Sequence, residues 1–273
     1  MYINNLALKN QISYNYRPYT KINNKHYPID NTSFKAKTNP VLLKKSKILA
    51  EKYCNILEKN ISCFDVINNR YINCLKAKDI PQNILEEIAY TELEKMSQIP
   101  VGKQLYIITG RCGSGKTTFV QNDNFKNFYR PDADAIKPLL PEYLSKGAEY
   151  VHEASYLINK TNLLEALENG LNCVFQTTTT VENIDKFIQK AKKYGYQNIK
   201  LVHMDVTEKK AIERSHIREQ KTGRKINPNT IRERKYIDEI VSIYKNPQKG
   251  ISEIFLYDNN GDSPILLQQF LIQ

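Results

Sequence analysis

One short stretch limits what this chain can fold into more than any other. It follows the apolar run 105–109, which reads as a buried strand, and it has the pattern G-x-x-x-x-G-K-[ST]. Its residues are Gly110, Arg111, Cys112, Gly113, Ser114, Gly115, Lys116, Thr117 and Thr118. Glycines let such a loop turn its N–H groups inward, as a nest for phosphate oxygens. The spacing therefore predicts a nucleotide triphosphate site, with Lys116 at the β- and γ-phosphates and the Thr117 hydroxyl on Mg²⁺.

Strands and helices alternate after residue 100, which is typical of an α/β protein whose parallel sheet has helices on both faces. The pattern predicts strands at 105–109, 128–134, 171–177, 199–206 and 251–257, and helices at 150–169, 181–194, 209–222 and 229–244. In such sheets the chemistry sits at the carboxyl ends of the strands. The phosphate loop, two acids after residue 131 and Thr177-Thr178 all fall there, so we expect them to form one site.

The first hundred residues differ from the rest. Residues 1–38 are rich in Asn, Lys and Tyr and predict an irregular arm. Asn39-Pro40 is a good helix start, and apolar stripes predict three amphipathic helices, at 40–57, 62–76 and 79–100. We therefore expect a small antiparallel helical bundle at 39–98, ahead of an α/β domain at 99–273.

Composition excludes several classes of protein. No stretch approaches the roughly 18 apolar residues of a membrane span, and the first residues lack the features of a secretory signal. The five cysteines are scattered without a C-x-x-C pair, which predicts reduced thiols and a cytoplasmic protein. The net charge of +11 suits anionic partners, but the sequence contains no recognisable nucleic-acid-binding module.

Asp132 and Asp134 are candidates for the acid that phosphoryl transfer requires, because a carboxylate must orient and deprotonate the acceptor hydroxyl. If the strand before them stays extended, both side chains point to the same face, and one acts as base while the other lies near the metal or substrate. If the chain turns there, only one enters the site. The competing interpretation is that one of them merely caps a helix.

Arginines in the second half of the chain are candidates for charge neutralisation. Arg214 and Arg218 are i,i+4 neighbours on a predicted helix, and Arg224 follows in the adjoining turn. This arrangement is typical of a lid that closes over a triphosphate, although a solvated basic face would look similar. Gln176 stands near the end of its strand, where a motor-type NTPase usually carries an acid. This favours a small-molecule kinase, in a P-loop kinase fold.

These blocks, in this order, resemble the zeta-toxin family of phosphate-loop kinases over about residues 104–257. The resemblance implies ATP- or GTP-dependent, Mg²⁺-assisted phosphorylation of the 3′-hydroxyl of the sugar in UDP-N-acetylglucosamine, which starves cell-wall synthesis. It implies that Lys116 is the loop lysine, Asp134 the catalytic base, and Arg218 and Arg224 the arginines that stabilise the transferring phosphate. Thr178 matches a substrate-binding threonine, and Asp132 and Arg214 join it as substrate-side candidates.

Two departures from the family pattern touch the acceptor pocket. Gln176-Thr177-Thr178 stands where family members commonly have acid-Gly-Thr, and Lys160 falls at the position of a substrate-helix glutamate. Glu153 is therefore a substitute candidate for substrate binding. An antibiotic, NAD or a polynucleotide end remains an alternative acceptor.

The resemblance also bears on the N-terminal bundle. Family toxins are silenced by a separate three-helix antitoxin, and here a predicted three-helix bundle is fused ahead of the kinase. The chain is thus similar to the single-chain, EzeT-like type, which implies an inhibitor in cis. Alternatives are a bundle that only stabilises the sheet or binds a partner, and a nucleotide-dependent regulatory protein without phosphate transfer.

Overall fold

The computed structural model describes residues 39–61, 64–65, 70–71, 73–178, 181–222, 228–233 and 239–272, and the Tyr-rich arm at 1–38 lies outside them. The strands are β1 Phe64–Asp65, β2 Arg70–Tyr71, β3 Gln104–Thr109, β4 Cys173–Thr177, β5 Asn198–Asp205, β6 Glu253–Asp258 and β7 Ile265–Leu271. The helices are α1 Pro40–Asn60, α2 Gln82–Ser97, α3 Lys116–Val120, α4 Ala133–Ile136, α5 Tyr143–Tyr150, α6 His152–Glu168, α7 Val181–Lys193, α8 Glu208–Thr222, α9 Pro228–Glu233 and α10 Ile240–Tyr244.

The central sheet has five strands in the order β4-β3-β5-β6-β7. Its first four strands are parallel, and β7 runs antiparallel to β6 along one edge. The predicted α/β class is confirmed, but the last strand, β7, was not predicted. The predicted strand at 128–134 is wrong, because only Tyr129 makes a parallel bridge, to Cys173, and the chain turns into α4 four residues later.

Helices cover both faces of the sheet, as the strand pattern predicts. Leu105 and Ile107 of β3 face a large core that α1, α2, α6 and α7 complete. Ile108, one residue further along the same strand, faces a smaller core with Phe125 and Val202. Side chains alternate across a strand, so a strand buried on both faces is apolar throughout. This explains why the run 105–109 reads as a buried strand.

The second helix predicted for the N-terminal bundle is wrong. Where a helix was expected over 62–76, β1 and β2 form a short antiparallel ladder that pairs Phe64 with Tyr71. Phe64 and Tyr71 are aromatic, and aromatic residues favour strands. The four apolar positions with helical spacing were too few to outweigh those local preferences. Helices α1 and α2, by contrast, lie where they were predicted.

Buried hydrogen bonds join α1 and α2 to the sheet domain. The Tyr53 hydroxyl of α1 donates to the Asn162 side chain of α6. The Tyr129 hydroxyl donates to Glu92 of α2 at 2.5 Å, and Lys95 pairs with the other carboxylate oxygen at 2.6 Å. Burial raises the pKa of both tyrosines well above the ordinary value, so these hydroxyls stay protonated donors. The N-terminal helices therefore share one core with the sheet, and Asn39–Gln273 forms one compact unit.

The prediction that the cysteines are reduced thiols is wrong for Cys74. Cys74 is disulfide-bonded, whereas Cys54, Cys112 and Cys173 are free thiols, and Cys63 lies outside the described residues. Sequence spacing does not reveal which cysteines the fold brings within bonding distance. No helix in the described ranges is long and apolar enough to cross a membrane.

Candidate active site

The phosphate loop connects β3 to α3 at the carboxyl edge of the sheet, as predicted. Three of its residues have positive φ angles: Gly110 at 143°, Gly113 at 80° and Gly115 at 83°. Side-chain-bearing residues rarely adopt such angles, which is why this path needs glycine. Space is limiting as well, because a Cβ on Gly113 would lie 2.5 Å from the carbonyl oxygen of Ala211. The loop is thus fixed both by its own backbone and by its neighbours.

Lys116 is the first residue of α3, and its side chain folds back over the loop. Its Nζ donates to the carbonyl oxygens of Gly110 and Arg111, at 2.8 Å each. The Thr117 and Thr118 side chains are exposed on the same first turn. The loop therefore presents an ammonium group, two hydroxyls and a helix N-terminus to one region, which is the chemistry that binds phosphate.

Arg111 and Cys112, the first two of the four loop positions that the pattern leaves free, make structural contacts. Arg111 is buried, and its Nη1 donates to the carbonyl oxygen of Ile231 at 3.4 Å. Cys112 packs against the small cluster of Val206, Ala211 and Ile231. Both side chains fix the loop to the elements that follow β5.

Asp132 and Asp134 occupy different positions because the chain turns between them. Asp132 is exposed and is the N-cap of α4, with its Oδ1 accepting from the Asp134 N–H at 2.9 Å. Of the two alternatives, the chain turns between the acids, and the interpretation of a helix cap is correct for Asp132. Asp134 lies in the first turn of α4, with its side chain 38% exposed.

Two cations contact the Asp134 carboxylate. Lys137 Nζ lies 2.8 Å from Oδ1, and Arg218 Nη2 lies 3.4 Å from Oδ2. The Lys137 side chain is only 7% exposed. Lys is rarely buried unless it is paired, and here the Asp134 carboxylate is its partner. The sequence interpretation missed Lys137, yet its spacing of three residues from Asp134 on a helix was a usable signal.

The three candidate arginines are placed differently. Arg218 on α8 reaches Asp134, so the structure brings together two segments that are 84 residues apart. Arg214, one turn earlier, donates through Nη2 to the carbonyl oxygen of Gly261 at 2.8 Å, in the loop between β6 and β7. Its Nη1 is buried and has no hydrogen-bond partner within the described residues. Arg224 lies outside the described residues.

The substrate-side candidates lie around the same edge of the sheet. Thr177 pairs with Thr109 at the ends of β4 and β3, and the half-buried Thr178 follows directly. Glu153 is in the first turn of α6, the helix against which α4 packs. Burial raises the pKa of the Glu153 carboxyl, and the positive charge of Lys160 on the same helix opposes that shift.

The donor set suits Mg²⁺ held jointly with phosphate. Mg²⁺ prefers oxygen ligands and usually binds through a few protein oxygens together with substrate phosphates. Thr117 supplies an exposed hydroxyl next to the loop. Across the ranges that the structure describes, no group of three His, Cys, Asp or Glu side chains has the arrangement of a metal site.

The sequence interpretation also missed the buried side-chain amide of Asn259, which lies next to the loop. Asn259 follows β6, and its Nδ2 donates to the Ser114 carbonyl oxygen at 2.7 Å. No local pattern marks this residue, because its partner lies 145 positions away in the sequence.

Comparison with known proteins gives the chain a family. The zeta toxin family model matches residues 89–262, a range that begins inside α2 and includes the whole carboxyl edge described above. No curated protein matches the sequence.

Solved structures resemble the chain at low identity. One, from the PezAT chromosomal toxin–antitoxin system of Streptococcus pneumoniae, shows the same fold, with a TM-score of 0.54 and 20% identity over 68% of this chain and 79% of that chain. Another is the AvrRxo1-ORF1:AvrRxo1-ORF2 complex with sulfate ions, with a TM-score of 0.49 and 14% identity over 85% of this chain and 67% of that chain.

Proposed function

The chain belongs to the zeta toxin family of phosphate-loop kinases, and we propose that it transfers the γ-phosphate of ATP to the 3′-hydroxyl of the sugar of UDP-N-acetylglucosamine. The observation that carries this proposal is the contact of Asp134 with Arg218. It places a carboxylate and a guanidinium at the same edge of the sheet as the phosphate loop. A base, a cation and a phosphate cradle are the parts that phosphoryl transfer to a hydroxyl needs.

Each proposed role follows from geometry and charge. Lys116 and the loop amides hold the donor phosphates, and the Thr117 hydroxyl contributes to Mg²⁺ binding, which supplies charge neutralisation when the nucleotide is bound. Asp134 accepts the proton of the attacking hydroxyl. Arg218 and Arg224 balance the negative charge of the transferring group, since a guanidinium stays protonated and binds phosphate through two N–H groups.

The substrate side of the proposal rests on fewer contacts. Thr178 and Glu153 face the acceptor, and Asp132 contributes mainly by fixing the start of α4. We assign Arg214 to holding α8 against the loop between β6 and β7, because its guanidinium donates to Gly261. The acceptor is therefore the part of the proposal that most needs a direct test.

Full-length protein should be incubated with Mg²⁺-ATP and UDP-N-acetylglucosamine, and the products identified by mass spectrometry. A phosphorylated sugar nucleotide is the expected result. ATP binding without that product would contradict the proposed acceptor, and NAD, an antibiotic and a polynucleotide end would then be tested in the same assay. Parallel reactions with GTP determine the preferred donor.

Inhibition in cis by residues 39–98 is a second proposal, motivated by the toxin–antitoxin relatives of the fold. The contacts of α1 and α2 favour the simpler alternative, that these helices stabilise the kinase. Tyr53 and Glu92 sit in buried hydrogen bonds with the sheet domain, and the family match itself begins at residue 89. An inhibitory role would be a further property of helices that the kinase core already needs.

The two proposals give opposite results for a protein consisting of residues 99–273. If α1 and α2 stabilise the kinase, this protein loses the folded state, because Tyr129 loses its buried partner and the core loses a layer. If they inhibit, it stays folded and its kinase rate rises. Circular dichroism together with the mass-spectrometric assay decides between them, and we expect loss of folding.

A further inference from the structure

We propose that Asn259 is a positioning residue of the phosphate loop, which sets the direction of one backbone N–H that binds phosphate. Asn259 is 7% exposed. Its Nδ2 donates to the Ser114 carbonyl oxygen at 2.7 Å, and its own N–H donates to the Asp205 carbonyl oxygen at 2.9 Å. The backbone of Asn259 is therefore held by β5, and its side chain holds the loop.

The effect on the loop follows from peptide geometry. The Ser114–Gly115 peptide bond is trans, so its carbonyl and its N–H point in opposite directions. Since Asn259 holds the Ser114 carbonyl, the Gly115 N–H must point away from Asn259, toward the start of α3. That side is where a helix N-terminus and the loop amides receive phosphate oxygens.

Glycine makes this restraint necessary. Gly115 has a φ of 83°, and a residue without Cβ can exchange readily between backbone conformations, including one with the peptide reversed. A reversed Ser114–Gly115 peptide would present a carbonyl oxygen to the phosphates in place of an N–H. Asn259 also fills the space beside Gly115, where a Cβ would overlap its Nδ2. The amide thus favours one peptide orientation by hydrogen bonding and by contact.

The same short segment reaches the arginine helix. Asn260 Oδ1 accepts from the Thr207 N–H at 2.8 Å, just before α8, and the Gly261 carbonyl accepts from Arg214. Residues 259–261 therefore connect the phosphate loop to the helix that carries Arg218. This inference rests on the proposed nucleotide site and does not depend on the identity of the acceptor.

The test is the affinity of the full-length protein for Mg²⁺-ADP and for inorganic tripolyphosphate, measured by calorimetry. Asn259→Asp keeps the shape but places a carboxylate oxygen against the Ser114 carbonyl, whereas Asn259→Ala only removes the hydrogen bond. We expect Kd to rise about tenfold for Asn259→Ala and further for Asn259→Asp, in parallel for both ligands. Asn246→Asp is the matched control, since the Asn246 side-chain oxygen accepts from the Gln248 N–H and an Asp carboxylate can do the same.

A purely structural role would lower the unfolding temperature without changing Kd of the folded protein. Unchanged Kd in folded Asn259→Ala would overturn the inference, and this variant decides the matter should Asn259→Asp fail to fold. Wild-type protein that binds no Mg²⁺-ADP would overturn it as well. Wild-type protein that binds Mg²⁺-ADP but does not phosphorylate UDP-N-acetylglucosamine would contradict only the proposed acceptor.

Discussion

The phosphate loop and the region around Asp134 lie at the same edge of the sheet but are built in different ways. The loop is a local structure, because its glycines and Lys116 are close in sequence and Lys116 bonds to its own loop. The Asp134 region is assembled from distant parts, with Arg218 arriving from α8 and Tyr129, five residues upstream, anchored on α2. Most of the donor-phosphate site is thus encoded locally, with Asn259 as a distant contribution, whereas placement of the base depends on tertiary contacts. Substitutions in the second region should separate catalysis from nucleotide binding.

The largest effect is expected for Asp134→Asn, which removes the proposed base and leaves the loop intact. We expect kcat to fall by about 10²- to 10⁴-fold, the usual contribution of a positioned base, with Kd for Mg²⁺-ADP nearly unchanged. Asp132→Asn is the comparison variant, because Asn caps helices about as well as Asp and should lower kcat by less than about tenfold. Steady-state kinetics and calorimetry measure both quantities. An equal loss in the two variants would assign the base to Asp132 or to both acids.

A smaller effect is expected for Lys137→Met, which removes the buried cation 2.8 Å from the Asp134 carboxylate. Kcat should fall by about tenfold while Kd for Mg²⁺-ADP stays the same, since the cation acts on the base rather than on the loop. Lys137→Arg keeps a cation at this position and should recover part of the rate.

Two controls sharpen this comparison. Lys146→Met breaks the exposed ion pair between Lys146 of α5 and Glu142, the N-cap of that helix, and should leave kcat unchanged. In the Asp134→Asn background, Lys137→Met should add little, because residues that act through one another are not additive. A full additional tenfold loss in that background would show that Lys137 acts independently of Asp134.

The sequence was a good guide wherever the signal was local. The run 105–109, the glycine spacing and the alternation of strands and helices gave the α/β fold and the path of the loop. Arg218 was also assigned to the correct region, because the i,i+4 spacing with Arg214 placed both on one helix. What the spacing could not give was the direction of each side chain, and Arg214 bonds to Gly261 while Arg218 bonds to Asp134.

The failures share a physical cause. The expected helix over 62–76 and the expected strand at 128–134 are short segments, for which periodicity is weak and neighbouring elements decide. No sequence signal marked Glu92, which is buried and accepts a hydrogen bond from Tyr129. Asn259 had no pattern at all, because its partner is a backbone carbonyl 145 residues away. The contacts of Glu92 and Asn259 are long-range, which is why no local pattern predicts them.

The smallest effect is expected for Glu153→Gln, which tests whether burial of this carboxylate lowers the stability of the folded protein. Burial raises the pKa of Glu153, so the charged carboxylate is less favourable in the folded protein than in the unfolded chain. The stability contributed by this group is complete at low pH, where both states are protonated, and is lost as pH rises through the folded-state pKa. Replacing the acid by an uncharged amide should therefore raise the unfolding temperature slightly at pH 7 but not near pH 4.

Thermal unfolding followed at both pH values measures this difference, with the exposed Glu149→Gln on α5 as the control. An unfolding temperature that shifts equally at the two pH values would contradict the assignment to charge burial. Kinetics on the same variant test whether Glu153, despite lowering stability, contributes to acceptor binding. If Glu153 contacts the acceptor, kcat/KM for the acceptor falls while Kd for Mg²⁺-ADP stays unchanged. The base region would then combine lower stability with acceptor binding, whereas the phosphate loop binds phosphate through its backbone N–H groups and Lys116, with Asn259 fixing one of those N–H groups.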